Sequence, residues 1–261
     1  MKHIELPGIS TKILGKRCIY LEEVDSTNDF LKEHGREMED GTVVIASEQI
    51  AGKGRLGRSW VSSRGEGLYL SVLLKNLAPN IRQLLPLICG LAVCKGLSRI
   101  CQSECALKWS NDVLCGEKKI CGILCESRIT SESSLAIAGM GVNLKQTAQT
   151  LNGSGLLYAT SLFADTGKIY DPISIASLII TELEEALDRS ADQGWEELRE
   201  EYKTRCLTIG RQIRVIQNNR EIIAKSLDIA QDGSLICEGD GGEIFSVHSG
   251  ETSVRGIYGY V

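Results

Sequence analysis

A missing helix narrows the fold of this chain more than any other feature. Gly52-Lys53-Gly54-Arg55-Leu56-Gly57-Arg58-Ser59 reads as G-x-G-x-x-G and, with Arg58 in the lysine position, as a near P-loop. Either motif needs a helix directly after the glycines, because the helix N-terminus supplies the amides that face phosphate. Here Trp60-Val61-Ser62-Ser63-Arg64-Gly65-Glu66-Gly67 follows, and then a strand-like run from Leu68 to Leu74. Both nucleotide-binding folds are therefore excluded. The loop still places Lys53, Arg55 and Arg58 close together among glycines that let backbone amides approach a ligand, which suits a polyphosphate. Mutual repulsion among Lys53, Arg55, Arg58 and Arg64 predicts a loop that stays mobile until an anion arrives.

Around the loop, strands and helices alternate. Cys18 to Val24 reads as a strand, and Asp25-Ser26-Thr27-Asn28 then caps a short helix carrying Phe30 and Leu31. Thr42 to Ser47 is the strand that enters the loop. Asn80 is expected to cap a helix to about Ile100, with Ile81, Leu84, Leu85, Ile88, Leu91 and Ala92 at helical spacing and a bend at Pro86. Ala106 to Trp109, Lys119 to Cys125 and Leu135 to Val142 read as hairpin strands, with Cys115-Gly116-Glu117 turning between the first two. Asp171-Pro172 opens a helix to about Leu187, and a second helical stretch covers Trp195 to Lys203.

After Cys206 the pattern changes to short β-like runs at Gln212 to Ile216, Ile222 to Asp228, Leu235 to Cys237 and Ile244 to Val247. Asn218-Asn219, Asp232-Gly233 and Gly241-Gly242 punctuate them. The expected organisation is an α+β domain over residues 1–205 and a small all-β module over 206–261.

Lys and Arg number 29 against 34 Asp and Glu, a formal charge of −5, which argues against a general nucleic-acid coat. The apolar stretch Leu84 to Cys94 is broken by Pro86 and Gly90 and falls short of the ~20 residues a bilayer needs, so it is expected to be a buried helix. No export signal is read in MKHIELPGIS, and a cytoplasmic protein is expected. The cysteines read as reduced core thiols. Their gaps hold no C-x-x-C and His3, His34 and His248 lie far apart, so no zinc site is expected.

A second polar cluster, Lys108-Trp109-Ser110-Asn111-Asp112, is followed by Lys118-Lys119-Ile120-Cys121-Gly122-Ile123-Leu124. Taken alone it makes a turn and fills a core. Its neighbours change that reading. Ser26-Thr27-Asn28 after a strand, Glu48 to Trp60, Leu68-Tyr69-Leu70-Ser71, Lys108 to Asp112, Lys119 to Leu124 and Gly139-Met140-Gly141-Val142-Asn143 occur in the order seen in biotin protein ligases. The chain resembles that family from about Cys18 to Leu162, with a weaker match near Ser249-Gly250-Glu251.

The resemblance implies an α+β fold: a mixed β-sheet with flanking helices, as in class II synthetase-like catalytic domains, plus a small C-terminal SH3-like β-barrel. It implies a biotin--[acetyl-CoA-carboxylase] ligase activity with biotin and ATP as substrates and Mg²⁺ as cofactor. Biotinyl-5′-AMP forms first, and a lysine of a biotin carboxyl carrier protein domain then receives the biotin. By the same resemblance Ser26, Thr27, Asn28 and Gln49 line the biotin ring pocket, and Lys53, Gly54 and Arg55 close over the biotin side chain and phosphates. Lys119 holds the biotin carboxylate and α-phosphate and is, with Arg55, the catalytic cation. Arg58, Asn111, Asp112 and Asn143 face the nucleotide, Asp112 also serving Mg²⁺ and Asn143 the adenine.

Carboxylate attack on a phosphate brings two anions together, so clustered cations are the chemistry such a site needs. Three departures from the family stand out. Lys53 replaces a common arginine, Ser110 replaces a common proline, and the 146–161 loop has no tryptophan, leaving Leu156, Leu157 or Tyr158 to cover the adenine. A first strand at Cys18 leaves no room for a helix-turn-helix, so the expected form lacks an N-terminal DNA-binding domain and has no DNA or membrane partner. A homodimer stays open. The alternative is a lipoate or octanoate ligase or transferase of the same fold, against which the polar set at 26–28 and 49 favours a ureido ring.

Overall fold

The structure is a computed structural model that describes residues 1–130, 134–192, 194–217, 220–250, 252–256 and 260. The expected turn at Asn218-Asn219 lies outside the described residues, as does Glu251. Eight strands form the main sheet: β1 (Lys2–Ile4), β2 (Cys18–Leu21), β3 (Val43–Ala46), β4 (Gly67–Lys75), β5 (Cys105–Lys108), β6 (Asp112–Cys115), β7 (Lys118–Ile129) and β8 (Ser134–Asn143). Their order is β1-β2-β3-β4-β8-β7-β6-β5, antiparallel throughout except for the parallel pair β2 and β3.

Side-chain alternation along these strands makes two cores. In β4, Leu68, Leu70, Val72 and Leu74 point into the larger core with helices α2 (Pro79–Ser98) and α5 (Pro172–Asp192). Leu73 points the other way, against Leu31 of α1 (Thr27–His34). The strand period of two thus assigns one face to packing under two long helices and leaves the other only partly covered by a short helix. By composition α2 is long and apolar enough to cross a bilayer, but 72% of that window is buried within the protein, so its apolarity serves the core.

Two helix and strand boundaries differ from the sequence reading for clear reasons. The N-cap of α2 is Ala78 rather than Asn80, with Pro79 in the first turn, where its missing N–H costs no bond. The turn spans 109–111, and Asp112 already opens a strand, β6, which pairs with both β5 and β7. At four residues β6 is too short to show a period, and a bulge at Val113/Leu114 breaks what alternation it has.

Short helices α3 (Ala148–Gly153) and α4 (Leu162–Thr166) lead to α5, and α6 (Glu196–Arg205) follows it. The second sheet is antiparallel, in the order β12-β11-β10-β9-β13: β9 (Gln212–Gln217), β10 (Arg220–Ile229), β11 (Leu235–Gly239), β12 (Ile244–Val247) and β13 (Ser253–Gly256). It closes the larger core, contributing Ile213, Leu235 and Cys237. Trp109 joins the two sheets, its N–H donating to Thr208 Oγ1 at 3.0 Å and its indole Nε1 to the Gly233 carbonyl at 2.9 Å.

Candidate functional site

The site begins with two glycines. On the α1 face of β8, Leu135 and Ile137 pack beneath the helix, and the next two positions of the same parity are Gly139 and Gly141. With no side chains there, the sheet surface is bare and other groups lie flat on it. A Cβ at Gly139 would stand 2.3 Å from Asn28 Oδ1, and one at Gly141 would stand 2.4 Å from Trp60 Nε1. Gly122 on β7 makes the same allowance, its Cβ position lying 2.8 Å from the Trp60 ring. Above this floor is a cavity of about 680 Å³.

The inner end is neutral and tightly bonded. Ser26 caps α1 and is buried with Thr27 and Asn28. Gln49 Oε1 accepts from the Thr27 N–H at 2.9 Å and lies 3.1 Å from its hydroxyl, while Gln49 Nε2 donates to Ser62 Oγ at 2.9 Å. Asn28 Nδ2 donates to the Leu124 carbonyl at 3.1 Å and to Glu126 at 2.8 Å. Ser71 Oγ lies 2.7 Å from Thr27 Oγ1 and 2.6 Å from Asn28 Oδ1. These bonds lock the rotamers, so the remaining donors and acceptors face the cavity in fixed directions.

The outer end is cationic. Lys53, Arg55, Arg58, Lys108, Lys119, Arg214 and Arg255 line the cavity, and Asp112 is the carboxylate among its described lining residues. A chain of net charge −5 has thus concentrated positive charge around one cavity. Lys119 Nζ lies 2.6 Å from Asp112 Oδ1, and Tyr260 donates its hydroxyl to Asp112 Oδ2. Burial pushes the Asp112 carboxyl up, but Lys119, the Tyr260 hydrogen bond and Lys108 outweigh it and hold it below the usual carboxylate range. Burial lowers Lys108 to about 8, beside Lys119, Arg255 and Arg58, with Asp112 opposing the shift. Its ammonium sits 3.6 Å from the Tyr260 ring centroid.

The glycine loop takes no helix after it, only a single 3₁₀ turn at Arg55–Gly57. Two of the four cations find carboxylate partners, while Arg58 still acts against the charge of Arg55. Lys53 pairs with Asp29 at 2.5 Å and Arg64 with Glu48 at 2.9 Å. Arg55 is half-buried, donating to Ser110 Oγ at 2.9 Å, Asn111 Oδ1 at 2.8 Å, the Thr252 carbonyl at 2.9 Å and the Ser249 carbonyl. Gly54 N–H donates to the Arg58 carbonyl at 2.7 Å, closing the loop on itself.

Eleven of the twelve residues singled out from the sequence line this cavity: Ser26, Thr27, Asn28, Gln49, Lys53, Gly54, Arg55, Arg58, Asn111, Asp112 and Lys119. Asn143 does not. It is buried and spends its Nδ2 on the Thr160 carbonyl at 2.9 Å, tying the 146–161 loop to the end of β8. Of the three apolar candidates in that loop, Tyr158 lines the cavity, and its ring stacks on Tyr260 at 5.9 Å. Sequence reasoning gave no role to Lys108, Trp60, Ser71, Arg214, Arg255 or Tyr260. The first three sit inside quoted motifs. Arg214 and Arg255 are cross-strand partners on β9 and β13, a pairing that no local pattern announces.

Residues 20–143 match the Biotin/lipoate A/B protein ligase family, and residues 208–255 match the Biotin protein ligase C terminal domain. A biotin--[acetyl-CoA-carboxylase] ligase of Mycobacterium tuberculosis is 32% identical over 220 residues, covering 81% of this chain and 78% of the relative. The bifunctional ligase/repressor BirA of Bacillus spizizenii is 28% identical over 234 residues, covering 88% and 72%. The structure of the biotin protein ligase from Aquifex aeolicus in complex with biotin and ATP superposes with a TM-score of 0.77 at 31% identity, covering 92% of this chain and 99% of that one. A mixed sheet with flanking helices, a neutral inner pocket and a cationic mouth define the class of biotin and lipoate ligases. Within that class the second domain and the relatives decide, and the chain belongs to the biotin protein ligase family.

Proposed function

We propose that this chain joins biotin to ATP, giving biotinyl-5′-AMP and pyrophosphate, and then passes the biotinyl group to a lysine of a biotin carboxyl carrier protein domain. In the first step a biotin carboxylate oxygen attacks the α-phosphorus and the bond to pyrophosphate breaks. In the second the lysine amine attacks the acyl carbon, AMP leaves, and the amine proton passes to solvent. The polarity of the cavity carries the reading: a hydrogen-bonded neutral end, suited to a ureido ring in its donors and acceptors, runs into an end where, among the described lining residues, seven cations face a single carboxylate. The cations converge on one concave cavity rather than spreading over a flat face, which supports a small polyphosphate over DNA. Biotin-dependent exchange of pyrophosphate into ATP tests it. Exchange that runs equally without biotin, or only with lipoate, would sink the reading.

The roles divide along the cavity. Ser26, Thr27, Asn28 and Gln49 hold the ring, and Lys53 and Gly54 cover the side chain. Lys119 sits at the junction, where it meets both the attacking carboxylate and the α-phosphate, with Arg55 beside it. Arg58 and Asn111 serve the nucleotide. Asn143 acts on it through the 146–161 loop, whose Thr160 carbonyl it binds. The catalytic residues belong to the 1–205 region, and the 206–261 module closes the phosphate end with Arg214, Arg255 and Tyr260.

The donor set suits a magnesium ion held mainly by substrate phosphates, since one buried carboxylate is what such an ion commonly takes from a protein. Asp112 would hold it, and the ion would neutralise phosphate charge. Either Asp112, paired with Lys119 and Tyr260, or Asn111, paired with Arg55, would have to exchange a partner, and Asp112 is the better donor because it carries the charge.

Two outcomes follow for the nucleotide. Stacking of Tyr158 on the adenine, with Tyr260 behind it, implies that Tyr158→Ala raises KM for ATP by about tenfold and leaves KM for biotin unchanged, a base-on-aromatic contact being worth about 1–3 kcal/mol. Lys108 is charged below about 8 and binds phosphate only in that form. ATP affinity is therefore expected to fall as pH rises through about 8, and Lys108→Met should bind more weakly but lose that limb of the profile. Fold stability moves the opposite way. Burial disfavours the ammonium, so the destabilisation is present below about 8 and fades toward the ordinary lysine value of 10.5. A calorimetric titration across this range separates the two trends.

A further inference from the structure

Cys101, Cys105 and Cys115 meet at the end of the β5–β6 hairpin remote from the cavity. Cys105 opens β5 and Cys115 closes β6, and the two stand opposite each other in register, which puts their side chains on one side of the sheet. Cys101 arrives from the turn that ends α2, its N–H donating to the Leu97 carbonyl at 2.9 Å. The three Sγ atoms all lie within 4.8 Å of one another, the one such gathering of cysteine, histidine or acidic ligand atoms among the described residues. Asp165 of α4 shapes the connecting turn, its carboxylate accepting the N–H groups of Gln102 at 2.7 Å and Ser103 at 3.1 Å. Cys105 and Cys115 are buried and Cys101 is half-buried, so solvent reaches the group from the Cys101 side.

We propose that Cys101, Cys105 and Cys115 form a trithiolate site for zinc. Tetrahedral zinc at about 2.3 Å from each sulfur sets the sulfurs ~3.8 Å apart, so even the widest spacing here closes by a shift of about 0.6 Å per sulfur. On binding, three S–H bonds give way to three S–Zn bonds, the protons pass to solvent, and a water completes the coordination from the Cys101 side with no change of oxidation state. The ion ties β5, the last strand of the sheet, to the end of α2. At the other end of the same hairpin Lys108 and Asp112 are cross-strand partners facing the cavity, so the metal anchors the strands that present them. The sequence alone did not point here, because the spacing is that of a helix end and a hairpin rather than of a knuckle.

Cobalt(II) titrated into the reduced, metal-free chain tests this. A thiolate-to-cobalt charge-transfer band should grow to one equivalent and vanish on adding zinc. Cys101→Ser and Cys115→Ser should each lose the band, and Cys237→Ser, a buried thiol elsewhere, should keep it. Should Cys115→Ser fail to fold, the half-buried Cys101→Ser and the wild-type titration still decide. The assignment is overturned by a wild-type chain with no band or by a band that survives Cys101→Ser. A disulfide between two of the three in freshly purified, zinc-free protein overturns it equally.

Discussion

Lys119→Ala is expected to slow biotinyl-5′-AMP formation by about 10²–10³, the usual consequence of removing one preorganised donor from the place where charge develops. The magnitude rests on position. Lys119 Nζ is 2.6 Å from Asp112, and its main chain is bound on both sides by the 158–160 segment, the N–H donating to the Tyr158 carbonyl at 2.7 Å and the carbonyl accepting from Thr160 at 2.9 Å. The ammonium therefore has little freedom before substrate arrives, and its removal cannot be made good by a neighbour sliding over. Asp112 would also lose its nearest cation, which pushes its carboxyl back up. Pyrophosphate exchange gives the rate and a thermal melt reports the fold. A folded Lys119→Ala chain exchanging at the wild-type rate would move the reacting centre elsewhere.

Gly139→Ala should be nearly as damaging, although it adds a single methyl. The new Cβ would lie 2.3 Å from Asn28 Oδ1, far inside contact distance, and Asn28 is held by Leu124, Glu126 and Ser71. Relief must come from moving that amide, which breaks the network beneath the ring pocket. Displacement of about 1 Å at a positioning group costs on the order of 10²-fold in rate. The expected signature is a fall in kcat/KM for biotin with KM for ATP little changed. An equal loss toward both substrates would show that the methyl disturbs the sheet as a whole.

How much of this was legible beforehand depends on how local each signal is. The caps at Ser26 and Asp171, the loop without a helix and the apolar period of α2 are short-range, and each reads directly from neighbouring residues. The inner pocket was legible only through the family resemblance, whose motifs hold Ser26, Thr27, Asn28 and Gln49; their local reading gave no more than a helix cap. The phosphate end was only half legible. Lys119 and Asp112 lie in quoted motifs, whereas Arg214, Arg255 and Tyr260 reach the cavity only because β13 pairs with β9 and the second sheet folds back on Trp109. β6 escaped because four residues and a bulge leave no period to find. Charge counting also misled in one respect: Lys53, Arg55 and Arg64 look repulsive in a line of text and are each neutralised or hydrogen-bonded in space.

From within the glycine loop, Arg55 holds the Ser110-Asn111 turn and the carbonyls of Ser249 and Thr252 at the same time. The glycine loop is therefore fastened to a segment from the far end of the sequence as well as to that nearer turn. Those bonds work like a latch mounted on the opposite jamb: loosening the segment that carries Ser249 and Thr252 would slacken a loop that lies toward the other end of the sequence.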